Sequence, residues 1–337
     1  MGISVAIAGA SGYAGGELVR LVGSHPDLEL VTVTAHEQAG RTLGSVHPHL
    51  RQHADLVLVD TDAAALGDAE LVFLALPHGA SASLARGLGD AARIVDLGAD
   101  HRLRDGRAYE RYYGAKPTQT WTYGLPELPG QRPLIAGSRR VANTGCYAVA
   151  IIVALAPLIA DGLAEPEDVV VVAASGTSGA GTSLTRALMA TEVMGDLSPY
   201  KVGTHQHVPE ILQATGAATL SLTPVLAPMP RGILATVTTR VKRPVTIEDV
   251  RDVLAAAYSD EPFVHVLPAG QLPRTGATLG SNCVHLQAAV DVSSGRAIVV
   301  AAIDNLGKGA AGQAVQNANL MLGLGETTGL PIDGTAP

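Results

Sequence analysis

The feature that most restricts the fold lies at the start of the chain, where a glycine-rich turn joins an apolar run to a helix-period segment. The apolar run Ile3–Ala8 predicts a buried strand, and the glycine turn at residues 9–15 follows it directly. Residues 17–22 predict a helix, and Leu28–Ala35 predicts a second strand. This order of strand, glycine turn, helix and strand is typical of a doubly wound parallel sheet that binds a dinucleotide.

The glycines of this turn each meet a requirement of a bound pyrophosphate. Gly9 permits a tight turn, Gly12 lets the backbone approach the phosphates, and Gly15 lets the helix pack closely on the strand. The N–H groups at the start of the helix then face the anion. A tight strand-to-helix turn without a ligand is the alternative interpretation. The predicted pyrophosphate site comprises Gly9, Ser11, Gly12, Tyr13, Ala14 and Gly15.

The end of the second predicted strand bears on the choice of cofactor. An NAD site places a carboxylate there to bind the ribose hydroxyls. Here Thr34 lies near the strand end and Arg41 follows in the loop, which favours the 2′-phosphate of NADP(H). Glu37 is the competing residue, because a carboxylate at that position suits NAD.

Two further apolar runs, at residues 69–77 and 93–98, predict buried parallel strands. Ligands of such sheets bind at the carboxyl ends of the strands. We therefore expect Pro77 and His78 to line the cofactor pocket, with a turn cap as the alternative role of His78. Asp96 and Asp100 are interpreted as turn and cap residues.

A candidate nucleophile, Cys146, lies directly ahead of a long apolar run in the second half of the chain. The run, at residues 148–160, predicts a buried helix that stops near Pro157 and Gly162, so the thiol lies at the helix N-terminus. Unpaired N–H groups and the helix dipole there favour the thiolate, and Gly145 removes side-chain bulk beside the sulfur. The alternative is a small buried hydrophobe, which is a common role for a free cysteine.

Polar groups that suit an anionic substrate follow this helix. Residues 169–174 predict a strand, and the second glycine-rich loop, at residues 175–181, either holds a phosphate or forms a flexible turn. His205 and His207 share a face if their segment is extended, and either suits acid–base chemistry, whereas a metal site would need a third ligand. Arg231 is a candidate for binding a phosphate or a carboxylate.

The remaining chain predicts one clear helix, Ile247–Tyr258, among strands in a mainly antiparallel pattern, followed by a last helix that opens at residues 304–313 and runs to about residue 324. The four strands are at Leu220–Leu226, 233–241, 283–290 and Arg296–Ile303. Cys283 lies in one of them and is interpreted as a core residue.

The composition excludes several classes of protein. The 337 residues carry a formal net charge of −8 without a run of Lys or Arg, which argues against a nucleic-acid partner. The longest apolar stretch contains Pro157 and is shorter than the ~20 residues of a membrane helix. Two distant cysteines suggest neither a disulfide framework nor a metal site. We expect a cytoplasmic protein with no membrane segment and no metal.

A nicotinamide site, a thiol at a helix N-terminus and nearby histidines together describe one reaction. The thiolate attacks an activated acyl carbon and expels its leaving group, and the resulting thioester accepts hydride and collapses to an aldehyde. A free carboxylate has too poor a leaving group, so the expected substrate is a small acyl phosphate.

The sequence resembles the N-acetyl-gamma-glutamyl-phosphate reductase family over essentially its whole length. The resemblance implies NADPH-dependent conversion of that acyl phosphate to the semialdehyde in arginine biosynthesis, and a homo-oligomer, either a tetramer or a dimer. The motifs that carry it are the turn at 9–15, YGLPE at 123–127, NTGCY at 143–147, HQHVPE at 205–210, RGIL at 231–234 and NLGKGA at 305–310.

The implied fold is α/β. A Rossmann dinucleotide-binding domain at residues 1–145 is completed by the C-terminal helix at about 308–337, and residues 146–307 form a catalytic α+β domain of the semialdehyde dehydrogenase type. Cys146 is the implied nucleophile, and the His205/His207 pair supplies the acid–base group. The resemblance also implies that Ser178, Gly179 and Asn305 contact the cofactor. The residues that it implies for contact with the substrate are Arg102, Asn143, Ser175, Gly176, His205 and Arg231.

The chain departs from the family pattern beside the nucleophile. Thr144 replaces a proline before the Gly-Cys pair, and Val149 replaces a threonine three residues after the cysteine. Two other functions remain as alternatives. One is a sister enzyme that reduces a longer or carrier-linked acyl phosphate in lysine synthesis, and the other is a nucleotide sensor without catalytic activity, which leaves Cys146 unexplained.

Overall fold

In the computed structural model, which describes residues 2–90 and 92–335, the N-terminal half of the chain forms a parallel sheet. The sheet has seven strands in the order β3-β2-β1-β4-β5-β7-β6, and all neighbouring strands are parallel. The strands are β1 Ile3–Ala8, β2 Leu28–Ala35, β3 Val59–Asp60, β4 Leu71–Leu74, β5 Arg93–Asp96, β6 Thr122–Gly124 and β7 Arg140–Asn143.

The strand order reverses between β1 and β4, which is where a doubly wound sheet binds its ligand. The central strands β1, β4 and β5 are largely buried and mostly apolar, because helices cover both faces of such a sheet. The helices of this part are α1 Tyr13–Gly23, α2 Leu43–Val46, α3 Ala63–Leu66, α4 Ser81–Gly87, α5 Gly106–Tyr113 and α6 Gln131–Ala136, with a 3₁₀ turn at Arg51–His53.

The second half of the chain forms a mixed sheet and a buried helix. Its helices are α7 Cys146–Ala160, α8 Ala190–Val193, α9 Val208–Thr215, α10 Ile247–Tyr258 and α11 Thr275–Thr278, with 3₁₀ turns at Thr177–Ala180 and Arg186–Leu188. Its strands are β8 Val169–Ser175, β9 Ser198–Pro199, β10 Leu220–Leu226, β11 Ile233–Arg240, β12 Val264–Val266, β13 Val284–Asp291 and β14 Arg296–Ile303. A π-helical segment, Gly307–Ala311, then leads into α12, Gly312–Leu322.

The strand order of this sheet is β12-β13-β14-β11-β8-β10-β9. The central pairs β13–β14, β14–β11 and β11–β8 are antiparallel, as the sequence predicted. The pairs β8–β10 and β12–β13 are parallel instead. The α/β fold class, with a Rossmann-type sheet and a second mixed α+β part, is confirmed.

Helix α7 is the core of this second part, and its start differs from the prediction. The helix begins at Cys146 rather than at residue 148, continues past Pro157 and ends at Ala160, the last residue of the predicted run. A proline inside a helix leaves the carbonyl four residues earlier without its usual N–H donor. Here the hydroxyl of Tyr258 donates to the carbonyl of Val153 at 2.8 Å. Because this bond satisfies the carbonyl, the helix can accommodate the proline.

The chain divides into two compact units, residues 2–144 with Ala310–Pro331 and Gly145–Gly309 with residues 332–335. The predicted first domain included the whole stretch 308–337, but residues 332–335 belong to the second unit. They join it because the Thr335 N–H donates to the Leu279 carbonyl at 2.7 Å and the Cys283 thiol donates to the Ile332 carbonyl at 3.1 Å. Residues 336 and 337 lie outside the described chain.

The predicted strands at 69–77 and 93–98 are shorter in the structure, where they span Leu71–Leu74 and Arg93–Asp96. The predicted last helix starts later, at Gly312, because the π-helical segment precedes it. Among the helices of the described residues, none has the length and apolarity needed to cross a membrane.

Candidate active site

Cys146 is the first residue of α7, and a buried carboxylate holds the residue before it. Gly145 is the N-cap of the helix and has no side chain with which to cap it. Its N–H instead donates to Oε1 of Glu210 at 2.9 Å, and Glu210 is fully buried in the first turn of α9. The thiol of Cys146 is partly exposed at the helix end where N–H groups have no intrahelical partner. The backbone beside the sulfur is therefore fixed by a bond that also joins α7 to α9.

A glycine packs directly against the candidate nucleophile. A Cβ atom built on Gly309 would lie 2.8 Å from the Cβ of Cys146, a distance that real Cβ atoms essentially never show. Gly309 belongs to the π-helical segment, and such segments are frequent at functional sites. Its N–H donates to the Asp304 carbonyl at 2.9 Å. The absence of a side chain at this position lets the segment approach the start of α7.

The two predicted histidines lie together with two tyrosines. The ring centroid of His205 is 4.9 Å from that of His207, 5.1 Å from that of Tyr147 and 5.9 Å from that of Tyr200, all edge to face. The backbone N–H of His207 donates to Nδ1 of His205 at 3.2 Å, so the neutral ring of His205 carries its hydrogen on Nε2. Burial, aided by the positive charge of Lys201, lowers the pKa of His205 to about 4. His205 is therefore neutral at physiological pH.

His207 has a different position, because it is the N-cap residue of α9 and its ring lies 6.2 Å from that of Tyr147. The hydroxyl of Tyr200 donates to that of Tyr147 at 2.9 Å. Burial is the main cause that raises the pKa of Tyr200 to about 12, and the charge of Cys146 adds to it. Burial also raises the pKa of Tyr147 strongly. Both hydroxyls stay protonated at physiological pH.

The second glycine-rich loop and Arg231 are joined by two consecutive side chains, Asp304 and Asn305. Arg231 forms a two-point ion pair with the buried carboxylate of Asp304, Nε to Oδ1 at 3.0 Å and Nη2 to Oδ2 at 2.8 Å. Asn305 accepts the Gly232 N–H at 2.7 Å and donates to Oγ of Ser178 at 3.0 Å.

The glycine-rich loop itself packs closely on the strand connection that carries Arg231. A Cβ on Gly176 would lie 2.8 Å from the Arg231 nitrogen. Ser175 is buried, whereas Gly179 is exposed at the loop surface. The structure therefore brings together the predicted residues Ser175, Gly176, Ser178, Gly179, Arg231 and Asn305.

In the first unit, the glycine turn between β1 and α1 has the tight packing that was predicted. A Cβ on Gly9, whose φ is +79°, would lie 2.3 Å from the Ala75 carbonyl oxygen, and one on Gly15 would lie 2.2 Å from the Gly9 oxygen. Gly12 is the N-cap of α1, and the nearest atom to a Cβ there is 3.6 Å away. The turn is packed on one side and open above Gly12, with Ser11 and Ala14 partly exposed and Tyr13 exposed.

Thr34 does not present its side chain at the surface. It is fully buried, and its hydroxyl lies 2.7 Å from that of Thr61. Its carbonyl accepts the N–H groups of Gly9 and Ala10, so Thr34 supports the glycine turn from beneath. Arg41 is exposed in the loop after β2, as expected, and donates to neighbouring groups of that loop.

Four other predicted residues of the first unit have distinct surroundings. Pro77 and His78 are exposed beyond β4, and Nδ1 of His78 accepts the Ala99 N–H at 3.2 Å. Arg102 is only 3% exposed and donates to the Leu97 carbonyl at 2.7 Å, so its guanidinium is committed inside the unit. Asp100 caps the start of α4 through the N–H of Ala82, the type of role that the sequence indicated.

Asp96, at the end of β5, is a buried carboxylate. It accepts the Ser81 hydroxyl at 2.7 Å and the Gly98 N–H at 2.8 Å. Burial raises its pKa to about 6.

The predicted substrate contact Asn143 is almost completely buried in the first unit. Its Nδ2 donates to the Ala310 carbonyl at 3.0 Å, and its Oδ1 accepts from Asn317 at 2.9 Å. Thr144 is equally buried, and its hydroxyl donates to the Gly124 carbonyl at 3.0 Å. The threonine thus ties the turn ahead of Gly145 through a bond that a proline could not make. Val149 packs in the apolar core of the second unit.

The other cysteine of the chain has surroundings that make its thiol unreactive. Cys283 is fully buried, and its thiol lies 3.4 Å from Nε2 of His265. Burial raises the pKa of this thiol to about 11. The core role predicted for Cys283 fits these surroundings, and thiol reagents should act on Cys146 first.

Sequence reasoning overlooked Tyr200, Asp304 and the contact between Gly309 and Cys146. Tyr200 lies in an exposed stretch without a regular period, and Asp304 follows a strand in the manner of many turn residues. The signal that was available is the glycine pattern at 307–312, because a helix start rich in glycine is unusual unless another chain segment approaches it closely.

We predict that Gly309→Ala disturbs the nucleophile. The added methyl group forces α7 or the π-helical segment to move, at a cost of about 1–3 kcal/mol in unfolding free energy. The rate at which iodoacetamide alkylates Cys146 should change as well, measured by mass spectrometry. Gly276→Ala is the control, since a Cβ there meets no atom within 4 Å. Identical stability and alkylation in the two variants would contradict the close packing.

Family models for two domains match the chain. The one described as "Semialdehyde dehydrogenase, NAD binding domain" matches residues 4–133, and the one described as "Semialdehyde dehydrogenase, dimerisation domain" matches residues 146–305. Together they account for most of the chain.

Among similar proteins, that of Salinispora tropica is 67% identical over 337 residues and that of Acidothermus cellulolyticus is 60% identical over 343. The alignments cover 100% of both chains in each case. A protein of Streptomyces coelicolor is 54% identical over the same full extent. All three are named N-acetyl-gamma-glutamyl-phosphate reductase.

Among solved structures, aspartate semialdehyde dehydrogenase II of Vibrio cholerae superimposes with a TM-score of 0.71 at 18% identity, over 96% of this chain and 98% of that one. Aspartate semialdehyde dehydrogenase of Candida albicans, solved with NADP, gives 0.68 at 15% identity, over 96% and 99%. These structures support the fold. Together with the full-length relatives, they show that the chain belongs to the N-acetyl-gamma-glutamyl-phosphate reductase family of semialdehyde dehydrogenases.

Proposed function

We propose that this protein reduces N-acetyl-gamma-glutamyl phosphate to N-acetylglutamate semialdehyde with NADPH, releasing phosphate, as a step of arginine biosynthesis. The names of the full-length relatives support the substrate. The observation that carries the chemistry is the partly exposed thiol of Cys146 at the start of α7, followed by Tyr147, whose ring packs against that of the neutral His205. The expected location, the cytoplasm, stays a prediction.

The residues of the first unit fit a dinucleotide. The turn at residues 9–15 is packed closely beneath, open above Gly12, and followed by the N-terminus of an 11-residue helix, a combination that accommodates a pyrophosphate. When bound, NADPH supplies the hydride that reduces the acyl group. The turn would hold the pyrophosphate, and the exposed Arg41 would meet the 2′-phosphate. Thr34 acts beneath the turn rather than at the ribose.

The chain's own part in the reaction is covalent. The Cys146 thiolate attacks the acyl carbon, the bond to phosphate breaks, and phosphate leaves with the electron pair. The thioester carbonyl then becomes a thiohemiacetal once hydride has been added, and the carbon–sulfur bond breaks to give the aldehyde and restore the thiolate. One proton from solution balances the reaction and ends on the released phosphate, and a donor near the substrate oxygen stabilises the negative charge that develops there.

We assign that donor to His205. Its Nε2–H is fixed as the donor by the bond that Nδ1 accepts from the His207 N–H. Its ring lies against Tyr147, the residue that follows the nucleophile. The Nε2–H donates to the thiohemiacetal oxygen as hydride is added, and to the aldehyde oxygen when the reverse reaction begins. His207, as the N-cap of α9, holds His205 in place and orients the substrate.

The first test is the reverse reaction, with N-acetylglutamate semialdehyde, phosphate and NADP⁺, and with aspartate semialdehyde as the competing substrate. We predict that Cys146→Ser folds and binds NADPH normally but loses nearly all turnover, because a hydroxyl at this position does not ionise as readily as a thiol. Retention of about a tenth of the wild-type rate or more would exclude thioester chemistry. A preference for aspartate semialdehyde would overturn the proposed substrate.

We predict that the two histidines separate kinetically. His205→Asn should lower kcat by about 10²-fold or more, whereas His207→Asn should mainly raise KM. Because the pKa of His205 is lowered to about 4, its neutral form persists well below the usual value of 6.5. The reverse kcat/KM of the wild type should therefore stay level down to about pH 5 and fall only near 4. An inflection near 6.5 that His205→Asn leaves unchanged would exclude His205 as the group whose neutral form the reaction requires.

Cofactor preference gives a third test. With Arg41 at the ribose, kcat/KM should favour NADPH over NADH, and Arg41→Ala should lower the value for NADPH by about tenfold while hardly changing that for NADH. Glu37→Ala is the matched variant, since Glu37 is also exposed in this loop. Equal or better activity with NADH would mean that Glu37, not Arg41, faces the ribose.

We also propose that the protein is a homo-oligomer, a dimer or a tetramer. The matched domain at residues 146–305 is described as a dimerisation domain. Within it, one stretch of chain exposes several large apolar side chains, which marks a protein interface. They are Leu184 (102% exposed), Met189, Met194 (77%), Leu197 and Val202.

We predict that Leu184→Asp together with Met194→Asp lowers the mass measured by light scattering, because charges in an apolar interface weaken association. Val292→Asp is the control, since Val292 is an equally apolar residue, 85% exposed, in the turn after β13 of the same unit. A monomeric wild type, or an equal loss of mass in the control, would refute this interface.

A further inference from the structure

Asp304, which follows β14, is a buried carboxylate with an unusually complete set of donors. It is fully buried and accepts the Nε and Nη2 groups of Arg231. It also accepts the backbone N–H groups of Gly280 at 2.7 Å, Leu306 at 2.9 Å and Gly307 at 3.2 Å. A buried charge is tolerated only when it is paired and hydrogen-bonded in this way.

The ion pair fixes the orientation of Arg231. Two bonds from one edge of the guanidinium to the two carboxylate oxygens hold its plane, as in other fork-like arginine–carboxylate pairs. The Arg231 side chain is 22% exposed while that of Asp304 is wholly buried. The carboxylate therefore lies on the buried side of the guanidinium. The exposed part of the Arg231 side chain lies on the opposite side.

Asp304 is also connected to Cys146, through hydrogen bonds to the chain segment that packs against it. Its Oδ1 accepts the N–H groups that begin the π-helical segment, and the Asp304 carbonyl accepts the Gly309 N–H at 2.9 Å. Gly309 in turn packs against the Cβ of Cys146. Asp304 thus holds both the arginine side chain and the chain segment that packs against the Cβ of Cys146.

We propose that Asp304 is a positioning residue, which orients Arg231 to receive an oxyanion of the substrate and keeps the Gly307–Ala311 segment against Cys146. The inference rests on the proposed function, because it needs an anionic substrate. The substrate carries two oxyanions, a carboxylate and a phosphate, and a planar guanidinium suits either. A purely structural role for Asp304 would stabilise the segment without affecting how the anion binds.

The first experiment measures Asp304→Asn, a variant of nearly the same size, in the reverse reaction. We expect the KM of one anionic reactant to rise by about tenfold or more, with a smaller fall in kcat. A rise confined to inorganic phosphate assigns Arg231 to the phosphoryl group, and a rise confined to the semialdehyde assigns it to the carboxylate. Unchanged KM values for both, with or without a fall in kcat, would overturn the proposal.

A double-mutant cycle tests whether Asp304 acts through Arg231. We expect Arg231→Lys to raise the same KM, and the double variant Arg231→Lys/Asp304→Asn to be no worse than the worse single variant. Asp168→Asn is the matched control, because Asp168 also pairs with two arginines of this unit but at the exposed surface. Additive effects in the cycle, or an equal rise in the control, would show that the role is structural.

A measurement without turnover separates this inference from the proposed function. Inorganic phosphate and N-acetylglutamate should each be tested for protection of Cys146 against iodoacetamide. We expect at least one to protect the wild type, with about tenfold more needed for Asp304→Asn. If circular dichroism shows that Asp304→Asn does not fold, Asp304→Glu is used in its place in all of these experiments. Asp304→Glu keeps the negative charge but displaces it. Equal protection in variant and wild type would overturn the positioning role even if the wild type proves inactive with the proposed substrate.

Discussion

The second unit is built around a helix that is apolar on every side, and the position of the proposed nucleophile follows from that constraint. Nearly every residue of α7 from Tyr147 to Leu158 is buried, and the helix packs against β11, β14, α9 and α10. It cannot slide or rotate without exposing apolar surface to water. Its first residue, Cys146, therefore has a fixed place, to which the polar groups of Glu210 and the bare backbone of Gly309 are fitted.

Local signals in the sequence were sufficient for most of the fold. The strand Leu28–Ala35 and the helix Ile247–Tyr258 were predicted to the residue, and the helix begins with a capping box between Thr246 and Asp249. Prediction was weaker where a distant group decides a boundary. The helix was expected to stop near Pro157 and Gly162, and it continues past the proline to Ala160, because the Tyr258 hydroxyl satisfies the carbonyl that the proline leaves without a donor. No pattern near residue 157 contains that information.

The same distinction applies to the candidate site. Glycine turns and the HQH motif are local, so the turn at residues 9–15 and the pair of histidines could be identified from sequence. The partner of Arg231 is 73 positions away, and the Thr34 hydroxyl faces Thr61, 27 positions away. A strand pattern indicates where Thr34 lies but not that its side chain is covered. A hydropathy pattern cannot predict the burial of a charged residue such as Asp304, because its burial depends on partners that the pattern does not show.

The burial of Cys283 has a consequence for life under oxidative stress. A thiolate that is nucleophilic enough to attack an acyl group is also open to peroxide, which converts it to a sulfenic acid. Many proteins rescue that species with a second cysteine nearby, but this chain has only two cysteines, and Cys283 is enclosed in the core with a raised pKa. An oxidised Cys146 therefore depends on a small thiol or a reductase from its surroundings, and without one it proceeds to the irreversible sulfinic state.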